Sequence, residues 1–157
     1  MRDMHEKFLK KTIEIALQSI ECGGGPFGVL IVKNNEVIST GANQVVKRLD
    51  PTAHAEIVAI RNVCKQLQGY QLDGCTLYTS CEPCSMCLGA IYWARLDEVF
   101  YALTGEDAAR VGFDDKFIYD ELSRETHQRS LKMGHFKDLD AEKIFKKWQD
   151  KLDKKMY

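Results

Sequence analysis

The sequence predicts an α/β fold in one domain, a central sheet covered by helices, and three observations carry that expectation. Short runs rich in Val, Ile, Phe and Tyr alternate with stretches whose apolar residues recur at helical spacing. Glycine, proline and Asn-Asn punctuation falls between those runs, where chain reversals belong. The 157 residues are enough for a single hydrophobic core, and no internal repeat, linker or low-complexity tract divides them. Strands alternating with helices are the pattern of a sheet layered between helices.

Taken in order, Leu9, Ile13, Ala16, Leu17 and Ile20 predict an opening amphipathic helix, ended by Gly23-Gly24-Gly25-Pro26. Phe27 to Lys33 reads as a strand, and Asn34-Asn35 suits a tight turn into a second strand, Glu36 to Thr40. Asp50-Pro51-Thr52 offers capping residues and a first-turn proline, so a helix is expected from there to about Leu67. Thr76 to Thr79 is the third strand. Glu82-Pro83 opens another helix by the same proline logic, reaching Trp93, and Val99 to Leu103 is the fourth strand. Thr104 to Lys116 reads as loop, Phe117 to Leu122 as a short helix, and Leu131 to Phe136 as a weak fifth strand. Ala141, Ile144, Phe145, Trp148 and Leu152 repeat a helical stripe, which makes residues from about 137 to 157 a helical tail of the one domain spanning 1–157.

Bulk properties exclude several classes. Hydrophobic residues make up 45% and charged residues 29%, a globular composition, and the net charge of -1 gives no electrostatic footprint for nucleic acid or an anionic membrane. No apolar run approaches the roughly 20 residues of a membrane-spanning helix. Met1 to Lys11 is charged and lacks the apolar core of a signal peptide, so a cytoplasmic protein is expected. Cys22, Cys64 and Cys75 are dispersed, whereas Cys81, Cys84 and Cys87 crowd one segment. Without secretion signals, that crowding points to metal or redox chemistry and away from a disulfide framework.

His54-Ala55-Glu56 and Pro83-Cys84-Ser85-Met86-Cys87 carry the chemistry. One imidazole and two thiolates suit zinc, a borderline-soft ion. Cys84 and Cys87 are three apart, which puts both sulfurs on one face of the Pro83-led helix, whose positive end stabilises thiolate. Three protein ligands leave a fourth position for water, whose pKa zinc lowers from about 15.7 toward roughly 7. Glu56, close to His54 yet poorly suited as a soft ligand, can move a proton from that water to a substrate. Two blander readings stand beside this one. Cys-x-x-Cys alone also fits a redox pair, and Cys81 could complete a closed Cys3His structural site. His5, His127 and His135 lack ligand spacing and read as solvated.

At these motifs the chain resembles the cytidine and nucleotide deaminase superfamily, whose signature is His-x-Glu followed by Pro-Cys-x-x-Cys. Over nearly all of Phe8 to Tyr157 it is similar to the bacterial guanine deaminases. The similarity includes Gly25-Pro26-Phe27-Gly28, Asp50 to Glu56, Thr79 to Cys84, Cys87 to Arg95, Gly112-Phe113-Asp114-Asp115 and Lys154-Lys155-Met156-Tyr157. Ser85 stands where that family usually has proline. The resemblance implies a three-layer α/β/α sandwich around a mixed sheet, and one zinc ion per subunit held by His54, Cys84 and Cys87. It implies Glu56 as catalytic proton carrier, with Asp115 contacting the amidine edge of the base and assisting proton transfer. Asn43 would hydrogen-bond the purine edge and Phe27 would stack on the base beside His54. Tyr157 would enter a neighbouring subunit's pocket through exchange of C-terminal segments in a homodimer.

From residues alone, Phe27 reads as core, Asn43 as a turn residue, and Asp114 and Asp115 as loop solvation. The implied reaction turns guanine, a small purine base, into xanthine. Deamination of another amino-heterocycle that shares the amidine edge is one alternative; a tRNA adenosine deaminase is the nucleic-acid alternative, and it wants a basic surface. From Lys137 onward seven lysines face five acids, a surplus that reads as a solvated helix face. A zinc-stapled interaction module is the non-enzymatic alternative.

Overall fold

Asn34 and Asn35 both adopt positive φ, 51° and 64°, the left-handed pair that a two-residue turn between antiparallel strands requires. They join β1 (Gly28–Lys33) to β2 (Glu36–Ala42). The computed structural model describes residues 2–137 and 139–157; Met1 and Asp138, which fall in the expected N-terminal segment and tail, lie outside the described residues. The chain forms two compact units, one ending at Phe117 and the other Ile118–Tyr157.

In the first unit β3 (Cys75–Cys81) runs antiparallel to β1, and β4 (Glu98–Leu103) runs parallel to β3. The order is β2-β1-β3-β4, a mixed sheet. Strand alternation sends Val29, Ile31 and Leu77 to one face, where α3 (Ala55–Leu67) and α4 (Ser85–Ala94) cover them. Leu30, Val32 and Tyr78 face the other way and meet Phe8 of α1 (Arg2–Glu21). These are the expected three layers. Two glycines let the helices touch the sheet: a Cβ on Gly41 would lie 2.1 Å from the Ala55 carbonyl oxygen, and one on Gly28 2.3 Å from that of Thr12. Gly41 therefore fixes how closely the first turn of α3, and with it the site, lies over β2.

Several expectations need correction. The buried face of α1 is Phe8, Thr12, Ala16 and Ser19, while Ile13, Leu17 and Ile20 are exposed. Contact over Gly28 rewards small side chains, and the Thr12 hydroxyl is satisfied by the Leu9 carbonyl at 2.7 Å. A short helix, α2 (Val45–Arg48), precedes the Asp50 turn. The expected loop after Thr104 contains α5 (Gly105–Arg110), closed by a reciprocal capping box between Thr104 and Asp107.

In the second unit, α6 (Lys116–Ser123, whose first two residues close the first unit) leads to a 3-10 turn at Thr126–Gln128 and then α7 (Glu142–Asp150). The fifth strand expected at Leu131 to Phe136 does not form. Among the described residues this unit has no strand to pair with it, and a lone strand leaves its backbone groups unsatisfied. No helix among the described residues is long and apolar enough to cross a membrane.

Candidate metal centre and its pocket

Two turns deliver the candidate metal-ligating side chains. The Thr52 N–H and hydroxyl donate to Asp50 Oδ1 at 2.8 and 2.7 Å, and the His54 N–H donates to the Thr52 carbonyl at 2.8 Å. That turn consumes the residues expected to start the helix, so α3 begins later, with His54 as its N-cap at φ -65°, ψ 158°. The same displacement occurs at α4, where Pro83 lies ahead of the helix and Cys84 is the N-cap at φ -66°, ψ 169°. Cys84, at the N-cap, and Cys87, in the first turn three residues on, thus converge at the start of α4.

His54 Nδ1 lies 3.5 Å from the sulfur of Cys84 and 3.5 Å from that of Cys87. A tetrahedral ion bound at the usual Zn–N and Zn–S lengths has an N-to-S edge of about 3.6 Å. All three donor atoms fall within 4.8 Å of one another, a cluster found nowhere else among the described residues. The donor chemistry and the spacing fit zinc. Cys81 stands apart: its thiol donates to the Thr104 carbonyl at 3.5 Å, and burial pushes it up to about 11. The Cys3His closure therefore lacks its fourth ligand.

The electrostatics favour one deprotonated sulfur, that of Cys84. The hydrogen bond from Cys87, followed by the one to His54, pulls the Cys84 thiol down to about 4, while its proton-sharing partner Cys87 is pushed up. His54 is raised, chiefly by its bond to Cys84 and further by the charges of Glu56 and Asp115. Glu56 sits in the first turn of α3, 5% exposed, with its Oε2 3.4 Å from the Cys87 sulfur. Desolvation raises its carboxyl above the ordinary range.

His54, Glu56 and Cys84 open into a cavity of about 510 Å³ that Phe27, Asn43 and Asp115 also line. Phe27 is half-buried and meets Phe113 edge-on, centroids 5.0 Å apart at 84°. It both flanks the core and presents a face to the cavity. Asn43 is tied to it by backbone, its N–H donating to the Phe27 carbonyl at 3.2 Å. Asn43 Oδ1 accepts the Val45 N–H at 3.2 Å, which leaves the amide NH2 with its donor capacity. Asp114 Oδ1 accepts the Lys116 N–H at 2.9 Å, whereas Asp115 is the less exposed of the pair and burial raises its carboxyl.

Sequence reasoning gave Phe113 and Glu82 no role, yet both line the cavity. The aromatic inside Gly112-Phe113-Asp114-Asp115 was the available signal. Tyr157 belongs to the second unit and is 70% exposed. His5 is only partly exposed: its Nδ1 lies 2.8 Å from the Tyr78 hydroxyl and its ring 4.2 Å from that of Phe100.

The cytidine and deoxycytidylate deaminase zinc-binding region matches residues 2–103. The guanine deaminase of Bacillus subtilis (strain 168) is 49% identical over 98% of this chain and 99% of its own. Its X-ray structure superimposes with a TM-score of 0.95, covering 98% of both chains. The tRNA-specific adenosine deaminase of Aquifex aeolicus is 42% identical, over 62% of this chain and 64% of its own. A His-Cys-Cys centre capping two helices over a mixed sheet, together with these similarities, makes this chain a member of the cytidine and deoxycytidylate deaminase family.

Proposed function

We propose that the protein is a zinc-dependent guanine deaminase, adding water to free guanine and releasing xanthine and ammonia. One observation carries the reading: a buried carboxylate, Glu56, lies beside a three-donor centre inside a base-sized pocket. Guanine is favoured among amino-heterocycles by the similarity to the Bacillus enzyme, which continues past residue 103 through the C-terminal unit. Glu56, Glu82, Asp114 and Asp115 line the pocket and no lysine or arginine does so among the described residues. A carboxylate-lined pocket attracts the polarised N–H groups of an amidine and repels phosphate, which disfavours nucleotides and tRNA.

Bound zinc, held by His54, Cys84 and Cys87, would supply the Lewis acidity that makes water a nucleophile near neutral pH. The remaining steps fall to the chain. Phe27 stacks on the purine beside His54, the Asn43 amide donates to an acceptor on the base edge, and the Asp115 carboxylate accepts from the amidine N–H. Glu56 takes a proton from the attacking water and gives it to N3 as oxygen bonds to C2. Glu56 then carries the proton of the new C2 hydroxyl to the 2-amino group; as that oxygen becomes the carbonyl, the C2–N bond breaks and ammonia leaves. In our reading the enzyme is a cytoplasmic homodimer, in keeping with six free cysteines. Its C-terminal segments are exchanged so that Tyr157 closes the partner's pocket.

Zinc analysis together with ultraviolet spectra of guanine, adenosine, cytidine and a tRNA anticodon stem tests this directly. Stoichiometric zinc and loss of the guanine spectrum alone are expected. Turnover of the anticodon stem without guanine would move the enzyme to the tRNA class, and zinc without any turnover would leave a structural module.

A further inference from the structure

Two pocket groups to which the proposed function assigns the base, Phe27 and Asn43, are held from behind by one residue of α1. Ser19 is buried at 7% exposure, and its hydroxyl donates to the Gly25 carbonyl at 2.7 Å. Its own carbonyl accepts the Gly24 N–H at 2.8 Å, so side chain and backbone both grip the glycine run. Gly25 passes the constraint on in two directions. Its carbonyl accepts the Phe27 N–H at 2.9 Å, and its α-carbon lies so close to Asn43 that a Cβ would sit 3.1 Å from Asn43 Cγ and 3.3 Å from Oδ1. At Gly24 a Cβ would meet the Ser19 hydroxyl oxygen at 2.5 Å and the Asn43 carbonyl oxygen at 2.7 Å. Neither glycine has a positive φ. What excludes side chains here is close approach, and what approaches is the wall of the pocket.

We propose that Ser19, acting through Gly25, is a positioning residue for base recognition, setting the Phe27 ring and the Asn43 amide at one fixed separation. Backbone bonding ties those two residues together, since Phe27 accepts from the Asn43 N–H, and the Val45 N–H holds the Asn43 amide through its Oδ1. Ser19 anchors that unit to a helix packed on the sheet, so a side chain that touches no ligand controls how the base is gripped. Its share of the work is uniform binding, equal in ground and transition states, which appears in KM and not in kcat.

The inference rests on guanine being the substrate, and kinetics of the intact zinc-loaded enzyme test it. Ser19→Ala is expected to raise KM for guanine about three- to tenfold, the worth of one buried hydrogen bond, with kcat within about twofold. Zinc content is expected to hold. Gly25→Ala leaves the hydroxyl in place and pushes the Asn43 amide by a few tenths of an ångström, so the same KM-selective rise is expected from a variant that keeps the Ser19 bond. In an Asn43→Ala background, Ser19→Ala should cost less than it does alone, because one of its two arms is already gone. An unchanged KM in either single variant, or equal falls in kcat and kcat/KM, overturns the positioning role. So does strict additivity in the double variant. Should Ser19→Ala fail to fold, Gly25→Ala decides alone. A wild-type protein inert on guanine is a different failure, which overturns the functional reading and the role of Ser19 together.

Discussion

The two units of this chain bury opposite things. In the first, Leu30, Ile31, Leu72 and Leu77 are all but inaccessible, and the polar groups at the site sit on that apolar floor. In the second, Glu121 is the only buried residue among those described, while Ile144 at 69%, Phe145 at 73% and Leu152 at 103% exposure stand open. The first unit is stabilised by its own core, and its chemistry is positioned by helix ends set on a sheet. The second is held by a carboxylate and its donors and shows solvent an apolar stripe of the kind that marks an interface. A zinc centre can be completed within one unit. The role of the other depends on what covers it, which is why exchange between subunits belongs to the proposed function.

The largest expected effect lies in the first unit. Cys84→Ala or Cys87→Ala should abolish stoichiometric zinc and all turnover, whereas Cys81→Ala should retain both, as metal analysis of purified variants would report. Equal zinc loss from Cys81→Ala would restore the closed four-ligand site. Next in size is Glu56→Gln, which keeps zinc and loses about 10²–10⁴-fold in kcat, the usual worth of general acid–base help. Near-wild-type turnover by that variant with metal bound would remove Glu56 from the proton path.

The legibility of the chain follows the same division. The candidate metal donors could be read because zinc dictates donor types, and His54, Cys84 and Cys87 satisfy those rules in any local geometry. Helix starts could not be read. Asp50 closes a side-chain turn that competes with the helix, so α3 starts later with His54 as its cap, and α4 likewise starts after Pro83 with Cys84 as its cap. The phase of α1 was misread because Ile13 and Leu17 outrank Thr12 and Ser19 on any hydrophobic scale, while contact at Gly28 rewards small size. Thr104 with Asp107 three residues on was a capping signature for α5 and went unread. In the second unit periodicity found α7 but could not name its partner, since a stripe records that a face is apolar and nothing of what meets it.

Removing the chain from Lys154 onward should sharpen the comparison with a smaller loss. Zinc content and cooperative melting of the first unit are expected to persist while kcat/KM for guanine falls at least about tenfold, through a pocket left open to water. Mixing that truncated protein with Glu56→Gln, after subunits re-equilibrate, should recover part of the activity. Full activity of the truncated enzyme makes the tail dispensable, and damage without rescue confines Tyr157 to its own subunit.

The smallest effect should come from Glu121, and it belongs to the second unit alone. Its Oε2 accepts both the N–H and the hydroxyl of Ser130 at 2.7 Å, and its Oε1 accepts from Arg124 at 2.6 Å. The Ser130 bonds come first in holding its carboxyl below the ordinary carboxylate range. A depressed folded-state pKa means that the ionised form is the one favoured by folding. The stabilisation is therefore complete above the unfolded carboxylate pKa of about 4.3 and is lost as pH falls through the lower folded value. Glu121→Gln keeps the shape and removes the charge at every pH. It is expected to speed amide exchange across residues 124–131 several-fold at neutral pH and to leave the strand Cys75–Cys81 unchanged. On acidification, once intrinsic exchange is corrected for, the wild type should approach the variant over that segment, and the difference between them should vanish below the folded pKa. If the segment exchanges alike in both proteins at neutral pH, the carboxylate does not hold the second unit together. If exchange in Cys75–Cys81 rises in step, the two units do not open independently, and the contrast drawn between them fails.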